Sequence, residues 1–396
     1  MGDTLHIAVV SETFPPEVNG VAMTLGHMVA GQRARGHRIS LVRPRQSAED
    51  CATSEAGFET RLVRGVPIPG YSSLRFGLPA ARTLRRLWRD DRPDVVQVVT
   101  EGPLGASAVG AARALGIPVV TEFHTNFHAY SHHYGFGGLE RLVSLHLRRL
   151  HNRGDLTVVP SHQLGIDLLR RGYNNIRVVA RGVDTALFNP GRRSAELRAR
   201  WGAKAEDPVV ACVGRVAPEK NLDLAVKAFV AIQRFAPAAR LLIVGDGPSR
   251  KALEREHPQH IYAGMRRGED LAVHYASADL FLFPSLTETY GNVTLEAMAS
   301  GLPVVAFRMA AAAELIHHGH NGMLAEPGVN AAFVRSALDL ITRPGTRSRI
   351  AACAAESVAT HDWARIHERM ECVLREAIRQ PKAQSANGPA FHLMPD

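Results

Sequence analysis

The sequence predicts an α/β protein with two Rossmann-like parallel-sheet domains that face each other across a cleft, followed by C-terminal helices. In the first half, short β-branched runs such as HIAVVS, DVVQVVT and IPVVTEFHT alternate with amphipathic stretches. This alternation is typical of parallel strands joined by crossover helices. After a polar interval the pattern restarts with VVACVGR, RLLIVGDG and DLFLFPS. The length of 396 residues agrees, because one domain usually has ~100 to 200 residues.

The polar interval sets the domain boundaries. We predict an N-terminal domain over 1–183, a linker over 184–207 and a C-terminal domain over 208–362. A helix over 363–380 is expected to cross back to the first domain, and the polar tail 381–396 is expected to be disordered. Such sheets bind ligands beyond the carboxyl ends of their strands. The functional residues are therefore expected in the loops at those ends.

The net charge of +9 is concentrated in the first half of the chain. Residues 1–183 contain 22 arginines, no lysine and 15 acidic residues, a balance of +7. Such an excess makes this half the likelier face for an anionic partner, whether a phospholipid surface, a nucleic acid or nothing specific. Nucleic acid is the weaker choice, because no zinc-finger spacing or RNP-like aromatic sequence accompanies the charge.

Two segments of the first half place leucine or tryptophan among arginines at helical spacing. They are RTLRRLWRDD over 82–91 and LERLVSLHLRRLHNR over 139–153. This pattern predicts an interfacial helix that docks on a membrane surface. The alternative is an ordinary helix whose apolar face packs on the sheet of its own domain.

Several classes of protein are disfavoured by composition. No run of ~18 apolar residues occurs, which argues against a membrane-spanning helix. The start MGDTLHIAVV lacks the features of a signal peptide, and the four cysteines show no CxxC spacing. The sequence therefore predicts a cytoplasmic protein without a disulfide framework or a zinc ribbon.

The stretch TETYGNVTLE places two glutamates around a turn. Glu288 precedes Tyr290-Gly291-Asn292, and Glu296 follows it in a helix predicted to start near Val293 and to stop at Gly301. The N–H groups of a helix N-terminus bind phosphate, and carboxylates accept hydrogen bonds from hydroxyls. This arrangement predicts a sugar joined to phosphates. The alternative is an acidic helix start that only favours the dipole.

Two other loops carry candidate phosphate contacts. The loop VGRVAPEKN places Arg215 and Lys220 at the end of the first strand of the second domain, where they can neutralise a diphosphate leaving group. The pair Asn19-Gly20 precedes a predicted helix, and its glycine lets backbone N–H groups approach a phosphate. A solvated surface loop and a simple turn are the respective alternatives.

Two further motifs favour structural interpretations. VGDGPSR lacks the third glycine of a dinucleotide fingerprint, so it predicts glycines that close a strand. TEFHTNFHAYSHHYG spaces four histidines as zinc ligands can be spaced, but no carboxylate or cysteine joins them and the segment begins as a strand. No metal site is predicted. His124, at the end of that strand, is the histidine we place in the cleft; the others are His128, His132 and His133.

Taken together, these motifs resemble the retaining nucleotide-sugar glycosyltransferases with the GT-B fold, called family 4 or group 1. The resemblance extends from about His6 to Gln380. It rests on Glu288-x7-Glu296 with its ASGLPVV tail and on the GRxxxEKN loop. The sequence departs from the family at Asn19, because many members have a second glycine before the one at Gly20.

The resemblance implies a role for each candidate residue. Glu296 would hold the ribose hydroxyls, Glu288 would contact hydroxyls of the transferred sugar, and Arg215 with Lys220 would bind the diphosphate. His124 would lie near the reacting sugar. Backbone N–H groups of the following residues would assist at the diphosphate: Gly20, Tyr290, Gly291, Asn292 and Val293. Two other positions match the family: Gly264-Met265, where the base packs, and Glu314, whose role is not assigned.

The resemblance also implies the reaction. A hexose of the glucose or mannose type would move from a UDP- or GDP-linked donor to an acceptor hydroxyl by front-face substitution, with no metal and no other cofactor. The sequence is closest in character to members that glycosylate membrane lipids, such as diacylglycerol and phosphatidylinositol. A lipid acceptor at the anionic inner face of the cell membrane is therefore predicted.

Other functions are kept as alternatives. A soluble or polysaccharide sugar is the alternative acceptor. An epimerase or a pyridoxal-phosphate-dependent phosphorylase is the alternative enzyme. A nucleotide-sugar-binding protein without transfer activity is the alternative outside catalysis. The sequence does not choose the base, the sugar or the linkage.

Overall fold

The computed structural model describes residues 3–17, 19–68, 71–124 and 140–379. The chain forms two compact units. The first contains Met1–Arg181 together with Trp363–Asp396, and the second contains Gly182–Asp362. The chain therefore leaves the first unit once and returns to it near its C-terminus.

Parallel strands dominate the described part of the first unit. In chain order the strands are β1 His6–Val10, β2 Arg38–Pro44, β3 Ser54–Glu55, β4 Phe58–Val63, β5 Gly65–Ile68, β6 Tyr71–Gly77, β7 Val95–Val98, β8 Val119–Glu122, β9 Leu156–Val159 and β10 Ile176–Val178. Eight of them form one sheet in the order β10-β9-β8-β7-β1-β2-β4-β3. Only β3 and β4 pair antiparallel within that sheet, and β5 with β6 form a separate antiparallel pair.

The helices of the first unit cover both faces of this sheet. The described helices of this unit that precede residue 182 are α1 Gly20–Ala34, α2 Ala81–Asp90, α3 Pro103–Leu115, α4 Glu140–Asn152 and α5 His162–Arg170, and a C-terminal helix joins them. Alternate residues of β1 belong to different hydrophobic clusters: Ile7 and Val9 pack in one, Ala8 and Val10 in the other. Burial on both faces explains why the strand is uniformly apolar instead of alternating.

The apolar face of α2 and part of that of α4 pack inside the first unit. Leu84 and Trp88 of α2 are 0% and 1% exposed and join the cluster that contains residues of α3. Leu147 and Leu150 of α4 are also buried. The prediction that α2 presents an apolar face to a membrane is therefore wrong, because tertiary packing takes up that face, whereas Leu142 of α4 is 63% exposed. None of the described helices is long and apolar enough to cross a bilayer.

The second unit is built on a six-stranded parallel sheet. Its strands are β11 Val209–Val213, β12 Arg240–Val244, β13 Ile261–Gly264, β14 Leu280–Phe283, β15 Val304–Phe307 and β16 Met323–Ala325, in the spatial order β13-β12-β11-β14-β15-β16. Its helices are α6 Ala195–Arg200, α7 Leu222–Gln233, α8 Arg250–Glu256, α9 Gly268–Ala276, α10 Asn292–Ala299, α11 Ala310–Leu315, α12 Asn330–Thr342 and α13 Pro344–Ser357. Hydrophobic clusters lie on both faces of the sheet.

The interval 184–207 differs from the predicted linker, because it is packed into the second unit. It contains a 3-10 helix and α6, and Phe188 contacts Tyr275 edge-on with ring centroids 5.8 Å apart. Arg198 is 3% exposed and donates hydrogen bonds to the carbonyl oxygens of Ser277 and Asp207. Leu197 and Ala203 are buried as well, and Leu187 and Trp201 pack against the core cluster that contains Phe188, so the interval is anchored at irregular spacings along the sequence.

The C-terminal helix α14, Trp363–Arg379, belongs to the first unit and packs on α1. Its carboxylate Glu371 accepts hydrogen bonds from Arg375 at 2.8 Å and from Arg35 of the α1 C-cap at 2.5 Å. Burial alone would raise the pKa of Glu371, but hydrogen bonds from Arg375, Arg35 and His37 lower it to about 2. The helix is thus held by an ionised carboxylate as well as by its apolar face.

A close contact also fixes α14. His27 stacks on Trp363 with ring centroids 4.6 Å apart, and Trp363 stacks on His367. A Cβ atom on Gly31 of α1 would lie 2.0 Å from Nδ1 of His367. Glycine at this position therefore lets the two helices approach.

We predict that Gly31→Ala lowers the free energy of unfolding, whereas Gly110→Ala raises it. Both changes replace a helix-interior glycine, a gain of roughly 0.5–1 kcal/mol from the lower chain entropy of alanine. A Cβ atom on Gly110 would meet nothing within 4 Å, so this position serves as the control. At Gly31 the overpacking costs about 1–3 kcal/mol. Urea unfolding measures both variants; equal stabilisation would show that the contact with His367 does not hold α14.

Candidate active site

Two loops of the second unit follow neighbouring strands at the point where the strand order reverses. Going outward from β11, the chain adds β12 and β13 on one side and β14 to β16 on the other. At such a point the crossover connections diverge and leave a crevice beyond the carboxyl ends of the strands. The loop 214–221 follows β11, and the loop 284–291 follows β14. Both candidate motifs therefore lie at the ligand-binding edge of this sheet.

The two loops are joined by charged side chains. Lys220 forms an ion pair with Glu288, and its ammonium group also lies 5.9 Å from the ring centroid of Phe283. Arg215 contacts the carboxylate of Glu219 at 3.4 Å, and Glu219 is 7% exposed. The structure thus brings Arg215, Lys220 and Glu288 together. It adds Glu219, which the sequence analysis missed although it lies four residues after Arg215.

The turn that follows Lys220 has its own support. Asn221 adopts a left-handed conformation with φ of 54°, and its side chain donates to the carbonyl of Pro284 at 3.2 Å. Asparagine tolerates this conformation better than most residues. The sequence EKN therefore combines a buried carboxylate, an ion-pairing lysine and a turn residue bonded to the second loop.

The glycines of VGDG support the loop after β11. A Cβ atom on Gly245 would lie 1.9 Å from the carbonyl oxygen of Gly214, and one on Gly247 would lie 2.3 Å from that of Val216. The N–H of Val216 donates to the carbonyl of Asp246 at 3.0 Å. These glycines have the structural role that the sequence predicted, because any side chain would push the neighbouring loop away.

The second loop ends in a helix N-terminus. Gly291 has φ of +91°, and α10 begins at Asn292, one residue before the predicted start. Tyr290 is buried, while Asn292 and Val293 are half-buried. No acidic residue lies in the first turn of α10. The view that these glutamates only favour the helix dipole is therefore wrong, and the N–H groups at this end suit an anion.

Glu296 lies in the second turn of α10, next to a tyrosine. Its carboxylate accepts a hydrogen bond from the hydroxyl of Tyr275 at 2.9 Å. Burial of this carboxyl group raises the pKa of Glu296 to about 6, although the hydrogen bond from Tyr275 lowers it. The group is therefore mostly ionised at neutral pH and can accept hydrogen bonds from a ligand. Nothing in the sequence around Tyr275 indicated this contact.

Two further predicted residues lie in other loops and helices of the same unit. Met265 follows β13 directly and is 49% exposed. Glu314 is half-buried in α11, and the N–H of Ala311 at the start of this helix donates to the carbonyl of Tyr290 at 2.9 Å. Met265 thus offers apolar surface at the edge where the strands end, and α11 contacts the second loop.

In the first unit, the predicted glycine loop starts α1. Asn19 caps the helix by accepting from the N–H of Ala22 at 2.9 Å, and its amide donates to Thr13. Gly20 is the first residue of α1, and a Cβ atom there would meet nothing within 4 Å. The space beside Gly20 is therefore open at the N-terminus of the helix.

His124 lies two residues after the end of β8 and is 8% exposed. Its Nε2 lies 2.8 Å from Oε2 of Glu122, and its Nδ1 lies 2.6 Å from Nη2 of Arg181. Its backbone N–H donates to Glu101 at 3.2 Å. Both ring nitrogens are thus engaged inside the first unit. The predicted histidines His128 and His132, with His133, lie outside the described residues.

Buried acidic residues at this edge were missed by the sequence analysis. Glu12, Glu101 and Glu122 are 8%, 7% and 3% exposed. The carboxylate of Glu12 accepts from the N–H of Leu104 at the start of α3, and burial raises its pKa to about 7. Each glutamate lies at or just after the end of a strand, and this position is the signal that could have revealed them.

A metal site has no visible ligand set in the part of the chain that the structure describes. Over 3–17, 19–68, 71–124 and 140–379, no group of three or more histidine, cysteine, aspartate or glutamate side chains could hold an ion. The cations on the loop 214–221 are Arg215 and Lys220.

Comparisons with known proteins agree with this geometry. Residues 207–343 match the family model for glycosyl transferases group 1, and residues 18–187 match the model for glycosyltransferase family 4. The first match covers both loops of the second unit, and the other covers the Gly20 and His124 regions of the first unit.

Two relatives extend the match along the chain. A protein described as GDP-mannose-dependent alpha-mannosyltransferase from Mycobacterium tuberculosis is 34% identical over 361 residues, covering 91% of this chain and 93% of the relative. An alpha-monoglucosyldiacylglycerol synthase from Streptococcus pneumoniae is 26% identical over 317 residues, covering 76% of this chain and 71% of the relative.

The fold is also that of a solved glycosyltransferase structure. Sucrose-phosphate synthase from Thermosynechococcus elongatus superposes with a TM-score of 0.77 at 18% identity, covering 94% of this chain and 98% of that one. Such low identity shows the fold alone, while the family models and the 34% identical relative show the family. The protein belongs to the family 4, group 1 glycosyltransferases and has the GT-B fold that its motifs predicted.

Proposed function

We propose that the protein transfers a hexose from a nucleoside diphosphate sugar to an acceptor hydroxyl, with retention at the anomeric carbon. The observation that carries this proposal is the set of Arg215, Lys220, Glu288 and Glu296 around the N-terminus of α10. Two cations and a helix N-terminus suit a diphosphate, and two carboxylates suit sugar hydroxyls. The M. tuberculosis relative is named for GDP-mannose, so GDP-mannose is the first donor to test and UDP-glucose the second.

The roles follow from the charges and the burial. Arg215 and Lys220 bind the diphosphate, assisted by backbone N–H groups at Gly291, Asn292 and Val293. Glu296 binds the ribose hydroxyls, because its ionised carboxylate keeps acceptor sites beyond the hydrogen bond from Tyr275. Glu288 binds the transferred sugar. In the absence of donor, Lys220 and Glu288 neutralise each other, which keeps both side chains at the site.

The remaining candidates complete the donor site and the reaction. Met265 packs on the nucleobase, for which its exposed side chain is suited. Tyr290 positions the second loop through its buried ring. His124 is the residue of the first unit that we assign to the reaction. Gly20 leaves the N-terminus of α1 open to an anionic group of the reactants. Because both ring nitrogens of His124 are engaged, we assign it a positioning role.

The chemical step is a front-face substitution. The bond between the anomeric carbon and the diphosphate oxygen breaks, and the acceptor oxygen bonds to the same face of that carbon. The acceptor proton passes to an oxygen of the departing diphosphate. Arg215 and Lys220 stabilise the charge that develops on the leaving group, the type of interaction that contributes most to such catalysis. These two cations supply what a divalent metal supplies elsewhere, so we propose a metal-independent reaction.

The acceptor is proposed to be a membrane lipid. The S. pneumoniae relative is named as a glucosyldiacylglycerol synthase, and residues 1–183 carry a net charge of +7. On α2, Arg82, Arg86 and Arg89 are exposed while Leu84 faces the interior. Docking on an anionic bilayer would therefore use the cationic face of α2, because its apolar face is buried.

The first test is transfer itself. Purified protein with GDP-mannose or UDP-glucose and lipid vesicles should form a glycolipid, and chelator should leave most activity.

Lys220→Ala should lower kcat by about 10² to 10³, because it removes one contact to the developing charge. Lys227→Ala, an exposed lysine of α7, is the matched control and should behave as wild type. Binding of sugar nucleotide without any product would indicate a binding protein, and restoration by magnesium after chelation would refute the metal-independent step.

Substitutions of Glu288 and Glu296 should weaken the binding of different ligands. Glu296→Gln should weaken binding of a nucleoside diphosphate with or without its sugar, whereas Glu288→Gln should spare the diphosphate and impair only the sugar nucleotide.

The pKa of Glu296 is raised to about 6, so its ionised form, and with it binding, should be lost as pH falls through 6. Titration calorimetry from pH 5 to 8 measures this. The wild-type affinity divided by that of Glu296→Gln corrects for titration of the phosphate, and a ratio independent of pH would contradict the assignment.

Membrane docking should depend on charge. Binding to vesicles should rise with their anionic lipid content and fall with salt, since each cation near an anionic bilayer contributes on the order of 1 kcal/mol. Changing Arg82, Arg86 and Arg89 together to glutamine should weaken co-sedimentation by roughly 10²-fold. The control changes three exposed arginines of the second unit: Arg200, Arg234 and Arg255. Equal losses in both triple variants would show that α2 is not the docking surface.

A further inference from the structure

The first unit contains a chain of buried polar side chains centred on His124. Gln97 donates from Nε2 to Oε1 of Glu122 at 2.5 Å, and Oε2 of Glu122 lies 2.8 Å from Nε2 of His124. On the other side of the ring, Nη2 of Arg181 lies 2.6 Å from Nδ1. All four residues are at most 8% exposed. The chain therefore runs from amide to carboxylate to imidazole to guanidinium within the core.

The partners of His124 determine its tautomer. A guanidinium group only donates hydrogen bonds, so Nδ1 of His124 accepts from Arg181 and carries no proton. A carboxylate only accepts, so Nε2 carries the proton and donates to Glu122. Hydrogen positions are thus fixed by the chemistry of the neighbours. The ring is the neutral Nε2–H tautomer, and neither nitrogen is left to take a proton from an acceptor hydroxyl.

The charges within this series of four buried side chains are balanced. Burial alone would raise the pKa of Glu122, but the hydrogen bond from His124 and the charge of Arg181 bring it below its ordinary value. Glu122 is therefore ionised and Arg181 compensates it through the intervening ring. A buried charge that loses its partner is costly, so Glu122 and Arg181 depend on each other.

The arrangement depends on the order of the strands. Glu122 ends β8 and Arg181 follows β10, with β9 between these two strands in the sheet. Arg181 must therefore reach past the end of β9 to meet His124, and a long side chain is needed. The backbone N–H of His124 is held as well, by Glu101 after β7. Contacts from the ends of three different strands thus converge on His124, two on its ring and one on its backbone N–H.

We propose that Glu122 and Arg181 are positioning residues for the transfer reaction and that they hold His124 in one orientation as the neutral Nε2–H tautomer. This inference rests on the proposed function, in which His124 is the contribution of the first unit. It goes beyond that function by excluding His124 as the general base. The acceptor proton must then leave with the diphosphate.

The experiment combines a spectroscopic and a kinetic measurement. Long-range ¹H–¹⁵N spectra of histidine-labelled protein without substrate report each tautomer, and comparison with His124→Gln assigns His124 among the 19 histidines. In wild type, His124 should show a protonated Nε2 and an unprotonated Nδ1. Arg181→Met removes the donor to Nδ1 while Glu122 still accepts from Nε2, so Nδ1 should gain a proton that compensates Glu122. The same variant should lower kcat about 10²-fold, the usual cost of misplacing a group at the reaction centre, with the KM for donor little changed.

Two further variants separate positioning from general stability. Arg181→Lys keeps a cationic donor and should restore the tautomer and bring kcat to within about tenfold of wild type. Thr121→Val, one residue before Glu122, removes buried hydrogen bonds to His151 and Thr157 without touching His124. It should lower stability and leave both measurements unchanged. Arg181→Gln replaces the methionine variant if that one does not fold, since its shorter side chain loses the reach to Nδ1.

The outcomes are distinguishable. An Nδ1 that stays unprotonated in Arg181→Met, or a loss of kcat no larger than that of Thr121→Val, would overturn the positioning role. A wild-type ring protonated on Nδ1 would overturn the tautomer assignment. If wild type transfers no sugar to any acceptor, the proposed function fails and the positioning role fails with it. The spectra, recorded without substrate, still decide the tautomer in that case.

Discussion

The constraint on which this protein depends is the geometry of the parallel sheet. Parallel strands need crossover connections, so all their carboxyl ends lie at one edge and the loops that follow them are close in space. In the second unit this edge joins Lys220 after β11 to Glu288 after β14. In the first unit it joins His124 after β8 to Arg181 after β10. Residues far apart in sequence thus meet without any special local structure.

The carboxylates of both units differ in whether a cationic side chain compensates them. Glu219 is paired with Arg215, and Glu371 is held by arginines that lower its pKa to about 2. Glu296 has only a tyrosine hydroxyl, and burial raises its pKa to about 6. This difference separates carboxylates that hold the structure together from one whose remaining acceptor sites are available to a ligand. The latter is the one we assign to the ribose.

The two units differ in what their edges offer. The second unit presents two cations, a helix N-terminus and exposed apolar surface at Met265, a combination that suits a nucleotide joined to a sugar. The first unit presents buried carboxylates around a histidine whose nitrogens are both engaged. Tight packing behind each edge, such as the approach of Gly245 to Gly214, keeps the loops in place. In our proposal, donor binding is therefore concentrated in the second unit, while the first unit fixes a single imidazole.

The sequence by itself determined the two α/β units and the family, because hydrophobic period, turn residues and the spacing from Glu288 to Glu296 are local properties of the chain. It could not reveal that Tyr275 bonds Glu296 or that Arg181 reaches His124. It also predicted a membrane-facing apolar face for α2, which is buried inside the first unit, with Trp88 1% exposed. It likewise predicted a linker over 184–207, which is packed into the second unit. Amphipathic spacing shows that a helix has an apolar face but not what covers it, and partners on different strands are fixed only when strand order and register bring them together.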